Sequence, residues 1–278
     1  MPLPIGLKLE KNLEQASLKD INLYQQEIGS LIYTTIFTRP DLVYPINFLA
    51  RFISNSSVEH YKYLNNIWCY LNKTQDLALD LTIQSSAELQ LNKLNKTSNL
   101  LDSINLIGSS DSDWGSDLDT RKLTTGNIFC LQNNKNNNKN SFIAISWLSK
   151  LQKTVAISSA KAKYIALKEA TKESLYLQSF IKELSISNIK DISNLFYKVN
   201  IIKTDSLSAI ELAKNPIYYA RTKHVDITYY FVRENLLERK IDLVYKSTNS
   251  LLADNLTKPT NNPKYYNFIK DIGLVKLI

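Results

Sequence analysis

Two cysteines in 278 residues, Cys69 and Cys130, leave little material for a disulfide framework. They lie far apart and form no Cys-x-x-Cys pair, which also argues against a thiolate zinc site. Such usage fits the reducing interior of a cell, without a choice between cytoplasm and nucleus. No apolar run approaches the ~20 residues that a membrane span needs. The opening Met1-Pro2-Leu3-Pro4-Ile5-Gly6 has neither the charged start nor the apolar stretch of a signal peptide. Met1 is the only methionine, as expected if the chain starts inside a longer reading frame. No internal repeat is visible.

What is abundant is lysine. The formal charge is +8 and the pI about 9.2, which suits a polyanionic partner. The chain is also loaded with Asn and Ile, a bias that an A/T-rich genome produces without selection for binding. Both explanations of the charge stand. With 44% hydrophobic residues, the chain can build one large domain or two small ones.

The first part reads as helical. Residues 1–20 are polar and extended. Asp20 is a candidate cap for a helix from Ile21 to Phe37, which stops near Pro40. A second helix is expected over Asp41 to Ser54. A third runs from Ser57 to Leu71, with Tyr61, Leu64, Trp68 and Leu71 recurring on one packed face. Residues 82–104 are polar with room for a strand or two. The pattern then changes to strands at Asn105–Ser110, Asn127–Leu131 and Phe142–Trp147. The last two are separated by a solvated Asn/Lys-rich loop at 132–140. A long helix at 159–184 follows, then a strand at 198–204, a helix at 206–214, a helix at 223–238, and a strand at 241–245. A final helix is expected to carry Leu251–Thr257.

The long helix has one discordant residue. Its apolar stripe runs Ala160, Leu167, Ala170, Leu177, Ile181 and Leu184, with Ser174 on the same face. Lys163 falls in the gap, so an ammonium points with the packed side. That placement is costly unless the charge meets acidic groups or escapes to solvent. Asp111 leaves the first strand, Asp205 leaves the fourth, and Asp254 opens the last helix. Strand ends gathered at one side of a sheet are where α/β proteins place sites. Converging carboxylates bind Mg²⁺ through oxygen, and two such ions about 4 Å apart can cleave a phosphodiester. A single Asp near a strand end is more often a turn residue or cap; the set and its order carry the reading.

Several runs together give the chain a family resemblance. They are Gly108–Trp114, Asp119–Gly126, Ile145–Lys150, Ala156–Tyr164, Ala213–Pro216, Arg221–Asp226 and Leu252–Pro259. In this order they resemble the ribonuclease H domain of copia-type retrotransposon Pol polyproteins. Upstream, Tyr24–Tyr33, Thr38–Asp41 and Arg51–Asn55 resemble the end of the reverse transcriptase. The resemblance implies an α/β fold: a ribonuclease H-like five-stranded mixed sheet with flanking helices, preceded by a small helical segment. Residues 1–103 would be the helical remnant and linker, 104–260 the ribonuclease H-like domain, and 261–278 a C-terminal tail. It further implies a four-carboxylate site that holds two Mg²⁺ and cleaves RNA in an RNA–DNA hybrid. Asp111, Asp205 and Asp254 fall on three of the four positions, as catalytic and metal-binding residues. The fourth is normally the second Glu of Thr-Glu-Ala-Glu-Tyr, which here reads Ala160-Lys161-Ala162-Lys163-Tyr164. Glu169 and Glu173 match other family positions.

Glu to Lys shifts the site by two charge units. A pair of unit charges about 4 Å apart is worth ~4 kcal/mol at an effective dielectric of ~20. Mg²⁺ binding is therefore expected to weaken, and cleavage to be weak or absent. Lys150, Lys153, Arg221, Lys223 and His224 are candidate nucleic-acid contacts; for each, a solvated or packing role weighs at least as much. Asp113 and Asp226 are candidate supporting groups, and Trp114 and Trp147 read as core. No Tyr-x-Asp-Asp polymerase centre occurs. The expected partner is an RNA–DNA hybrid or another nucleic acid, together with the rest of a Pol polyprotein, and no membrane. The rival readings are a non-catalytic nucleic-acid-binding module and an untranslated relic.

Overall fold

Helix formation in the first part follows local rules. Helix α1 (Leu18–Phe37) is capped by Ser17, whose Oγ accepts from the Asp20 N–H. The start thus lies three residues before the one expected at Ile21, because the serine outcompetes Asp20 as the cap. Helix α2 (Val43–Leu49) is flanked by 3₁₀ turns at Pro40–Leu42 and Ala50–Phe52. Helix α3 (Val58–Lys73) begins at a capping box between Ser57 and His60. Leu64 is fully buried and Tyr61 and Leu71 partly so, while Trp68 sits at the surface with its indole N–H on Glu27.

This computed structural model describes residues 1–81, 104–113, 122–133, 142–153, 158–186, 199–215 and 226–277. Strand β1 (Leu77–Leu79) follows α3. Next come β2 (Ile104–Asp113), β3 (Thr124–Asn133), β4 (Phe142–Leu151) and helix α4 (Ser159–Ile186). They are followed by β5 (Asn200–Thr204), α5 (Leu207–Lys214), α6 (Asp226–Leu237) and β6 (Ile241–Tyr245). A 3₁₀ turn (Leu252–Leu256), α7 (Asn262–Asp271) and β7 (Leu274–Lys276) complete the order. The boundary expected at 103/104, the strand or two expected within 82–104, most of the Asn/Lys-rich loop and Trp114 fall wholly or largely outside the described residues.

Five strands form one mixed sheet in the order β4-β3-β2-β5-β6. β2, β3 and β4 are antiparallel neighbours, whereas β2–β5 and β5–β6 are parallel. The fold is thus the expected ribonuclease H-like five-stranded mixed sheet with flanking helices. One face packs on α4, α5 and α6 through Phe129, Tyr164, Leu167, Ile202 and Val232. The other packs under α7 and the 252–256 turn, through Ile128, Cys130, Leu256 and Phe268.

Three expectations need correction. The first strand runs through Asp113, so Asp111 lies within it, opposite Gly126, rather than beyond its end. Residues 252–256 form a 3₁₀ turn, not an α-helix, because Pro259 stops the segment before a helix can lengthen. The segment given above as a C-terminal tail, 261–278, contains α7 and β7. Tyr265, Phe268 and Ile272 of this segment are buried against the sheet, and β7 pairs with β1.

The N-terminal helices dock on the sheet rather than hang from it. Val43 joins the core under α7, Trp147 donates to the Thr35 carbonyl at 2.8 Å, and Arg51 donates to Thr124 at 2.8 Å. A buried pair, Arg39–Asp41, is tied to α3 through Tyr70 and Thr74. Tyr265 of α7 donates to the Asp41 carbonyl at 3.1 Å.

Candidate functional site

The parallel register places Ser109 beside Lys203, which brings Asp111 and Asp205 to the same end of β2 and β5. Asp205 follows β5 directly. Asp254 arrives from the other face on the 3₁₀ turn. That turn fits only because residue 126 is glycine. A Cβ there would lie 2.8 Å from Thr257 Cγ2 and 2.9 Å from the Ala253 carbonyl. The three carboxylates expected to share a site are brought together, and Asp111 feels both of the others electrostatically.

Lys163 projects from the first turns of α4 into this group. Its Nζ lies 2.5 Å from Asp205 Oδ1 and 3.3 Å from Asp111 Oδ1. The helix puts it there because Ala162, Tyr164, Ala166 and Leu167 around it are buried against the sheet. The observed stripe therefore includes Tyr164 and Ala166, which the simple three-four reading passed over. Ala160, placed on that stripe, is only partly buried, and the Leu184 side chain lies outside the described residues.

Two further lysines complete the charge balance, and neither was singled out from the sequence. Asp254 Oδ1 lies 2.8 Å from Lys258 Nζ, and Asp254 Oδ2 lies 2.5 Å from Lys264 Nζ. Lys258 had a local signal, being four residues along from Asp254. Lys264 had none, since it sits in the segment read as a tail. Two threonines bind the oxygens that remain. Thr257 Oγ1 donates to Asp111 Oδ2 at 3.0 Å, and Thr248 Oγ1 donates to Asp205 Oδ2 at 2.6 Å.

The electrostatics follow from burial and pairing. Burial raises the Asp111 pKa, and the neighbouring Asp205 and Asp254 add to the rise while Lys163 opposes it. For Asp205, burial also pushes upward, but the Lys163 and Thr248 hydrogen bonds win and hold the carboxyl below its usual range. Lys163 loses solvation, yet Asp111 and Asp205 outweigh that loss and raise its pKa.

The two Mg²⁺ ions that the resemblance implies do not fit this arrangement. Each aspartate already has an ammonium in contact, and the positive charge a cation would bring is present in the side chains. Among the described residues no group of three or more His, Cys, Asp or Glu side chains is disposed to hold a metal ion.

Other candidates scatter. Lys150 and Lys153 are exposed near the end of β4. Arg221, Lys223 and His224 lie outside the described residues, as does the Asp226 side chain. Glu169 pairs with Lys172 at the surface, and Glu173 accepts from Ser146, so neither substitutes for the missing carboxylate. Asp113 acts electrostatically on Lys258. Trp147 is partly buried in the core. Among the described residues no helix is long and apolar enough to cross a membrane.

The order of the mixed sheet and its flanking helices define a ribonuclease H-like domain. No family model matches the chain. It is 33% identical over 95% of its length to the retrovirus-related Pol polyprotein from transposon TNT 1-94 of Nicotiana tabacum, covering 18% of that protein. It is 31% identical over 94% of its length to the corresponding polyprotein from transposon RE2 of Arabidopsis thaliana, covering 16%. The chain thus belongs to the copia-type retrotransposon Pol polyproteins and spans less than a fifth of the length of these two relatives. A shorter relative, secreted RxLR effector protein 161 of Plasmopara viticola, is 32% identical over 55% of this chain and 90% of its own. Among solved structures, the foamy viral protease-reverse transcriptase in complex with RNA/DNA hybrid aligns with a TM-score of 0.45. It shares 14% identity and covers 82% of this chain and 25% of that one.

Proposed function

We propose that this chain is a ribonuclease H-derived module of a retrotransposon Pol polyprotein that has lost most or all cleavage of RNA in RNA–DNA hybrids. The supporting observation is Lys163, whose ammonium lies between Asp111 and Asp205 where the family carries a glutamate. In this reading Asp111, Asp205 and Asp254 are the surviving catalytic carboxylates, and their affinity for Mg²⁺ is reduced. Cleavage of an end-labelled hybrid at millimolar Mg²⁺ tests it. The wild-type chain should release little product, and Lys163→Glu should recover part of the activity. Robust wild-type turnover that vanishes in Asp111→Asn would sink the reading.

A second reading keeps binding without chemistry: a module that holds a hybrid or structured RNA. The exposed Lys150 and Lys153 at the end of β4 favour it, together with the net charge. Hybrid affinity measured against salt should fall in Lys150→Ala/Lys153→Ala, with the log–log slope reduced by roughly 2. An unchanged slope would reduce the lysine excess to composition alone.

A further inference from the structure

The contacts of the three aspartates close on themselves. Asp111 Oδ1 meets Lys163, and Lys163 meets Asp205 Oδ1. Asp205 Oδ2 accepts from the Thr248 hydroxyl, and the Thr248 carbonyl accepts from Lys264 at 2.5 Å. Lys264 binds Asp254 Oδ2, and the single proton of the Thr257 hydroxyl is shared between the Asp254 carbonyl and Asp111 Oδ2. The circuit joins β2, α4, the end of β5, the 3₁₀ turns at Thr248–Ser250 and Leu252–Leu256 that follow β6, and α7. Asp111 and Asp254 are only 2% and 1% exposed. Buried carboxylates so close together would repel one another strongly without positive charge among them.

We infer that this ring is a metal-free counter-ion network, in which Lys163 and Lys264, with Lys258 as the second partner of Asp254, supply the positive charge the buried carboxylates require and make the fold independent of divalent cations. Lys163 and Lys264 act at different joints. Lys163 ties the first sheet strand to the strand beside it from the α4 side. Lys264 ties the 252–256 turn to the turn at 248 from α7, the segment that closes the opposite face. The inference rests on ion-pair geometry and not on the nuclease reading, since it holds whether or not any hybrid is bound or cut.

Thermal unfolding of the full chain in graded MgCl₂, with ionic strength held constant by KCl, tests it. The wild-type melting temperature should not move with Mg²⁺. Lys163→Met, which keeps the length and apolar stem but removes the charge, should melt about 6–12 °C lower. Millimolar Mg²⁺ should restore part of that loss as the ion takes the place of the ammonium, and Lys264→Met should change in the same direction. If Lys163→Met is unfolded in KCl, refolding on addition of Mg²⁺ supports the network, and its failure to refold overturns it. A wild-type melting temperature that rises with Mg²⁺ would also overturn it. So would a Lys163→Met loss that Mg²⁺ leaves untouched, for the lysine would then contribute packing and not charge. Failure of the functional reading would be seen separately, in the cleavage assay.

Discussion

At the scale of single residues, Thr257 is the least conspicuous member of the site and one of the most constrained. Its hydroxyl is fully buried and serves two partners, the Asp111 carboxylate and the Asp254 carbonyl. Thr257→Val keeps the shape and removes both bonds, leaving Asp111 Oδ2 without that donor. A loss of about 1–3 kcal/mol in urea unfolding is expected. The two thiols should also behave differently. Cys130 is buried and its pKa is pushed up to about 12 by burial, whereas Cys69 is exposed. A thiolate-seeking reagent should therefore label one thiol in the native chain and two in denaturant; two native equivalents would contradict the burial of Cys130.

At the scale of elements, Gly126 decides whether the 252–256 turn can reach the sheet. Gly126→Ala puts a methyl carbon against backbone and the Thr257 methyl, so something must shift. A destabilisation of about 1–3 kcal/mol is expected, with Asp254 displaced from Lys264, and protection of the Asp254 and Thr257 amides from hydrogen exchange should fall with it. The sequence announced the five sheet strands and six of the helices because each carries a complete period of its own, as in Asn127–Leu131 or the stripe through Leu167 and Leu177. It announced Lys163 because a charge interrupts that stripe. It was silent where an element depends on a distant partner. Strand β1 is three residues long and exists by pairing with β7. Helix α7 is short and polar on one side, so its buried Tyr265 and Phe268 did not read as a core face. Lys264 was lost with it, since a lysine's partner some 10 residues back across a proline leaves no periodic trace.

At the scale of the molecule, the N-terminal helices, the sheet and α7 meet at Arg39–Asp41. Asp41 accepts from the guanidinium at 2.9 and 2.8 Å and from Tyr70, with almost no exposure. Asp41→Ala strands a buried guanidinium and should cost about 3–5 kcal/mol, read as a lowered urea midpoint for the whole chain. Unfolding of the helices alone, with the sheet signal unchanged, would instead mean that the two layers are energetically separate. Alkali should weaken the whole assembly. Burial raises the pKa of Cys130 above 9.0 and those of Tyr24, Tyr44, Tyr70 and Tyr265 above 10.0. The unfolded chain ionises first in each case, so stability is full below about pH 9 and is lost as pH climbs from there toward the folded values. A melting temperature that holds steady from pH 8 to 11 would contradict this. The β1–β7 pair has a consequence in time as well as in space. Residues 77–79 wait for residues 274–276, so during synthesis the helices and all five sheet strands are made while one apolar face, around Ile128 and Cys130, still lacks α7. Long-range closure of this kind is slow and leaves a nascent chain prone to association. Residues 262–276, made after every strand of the five-stranded sheet, therefore determine how long that apolar face stays uncovered.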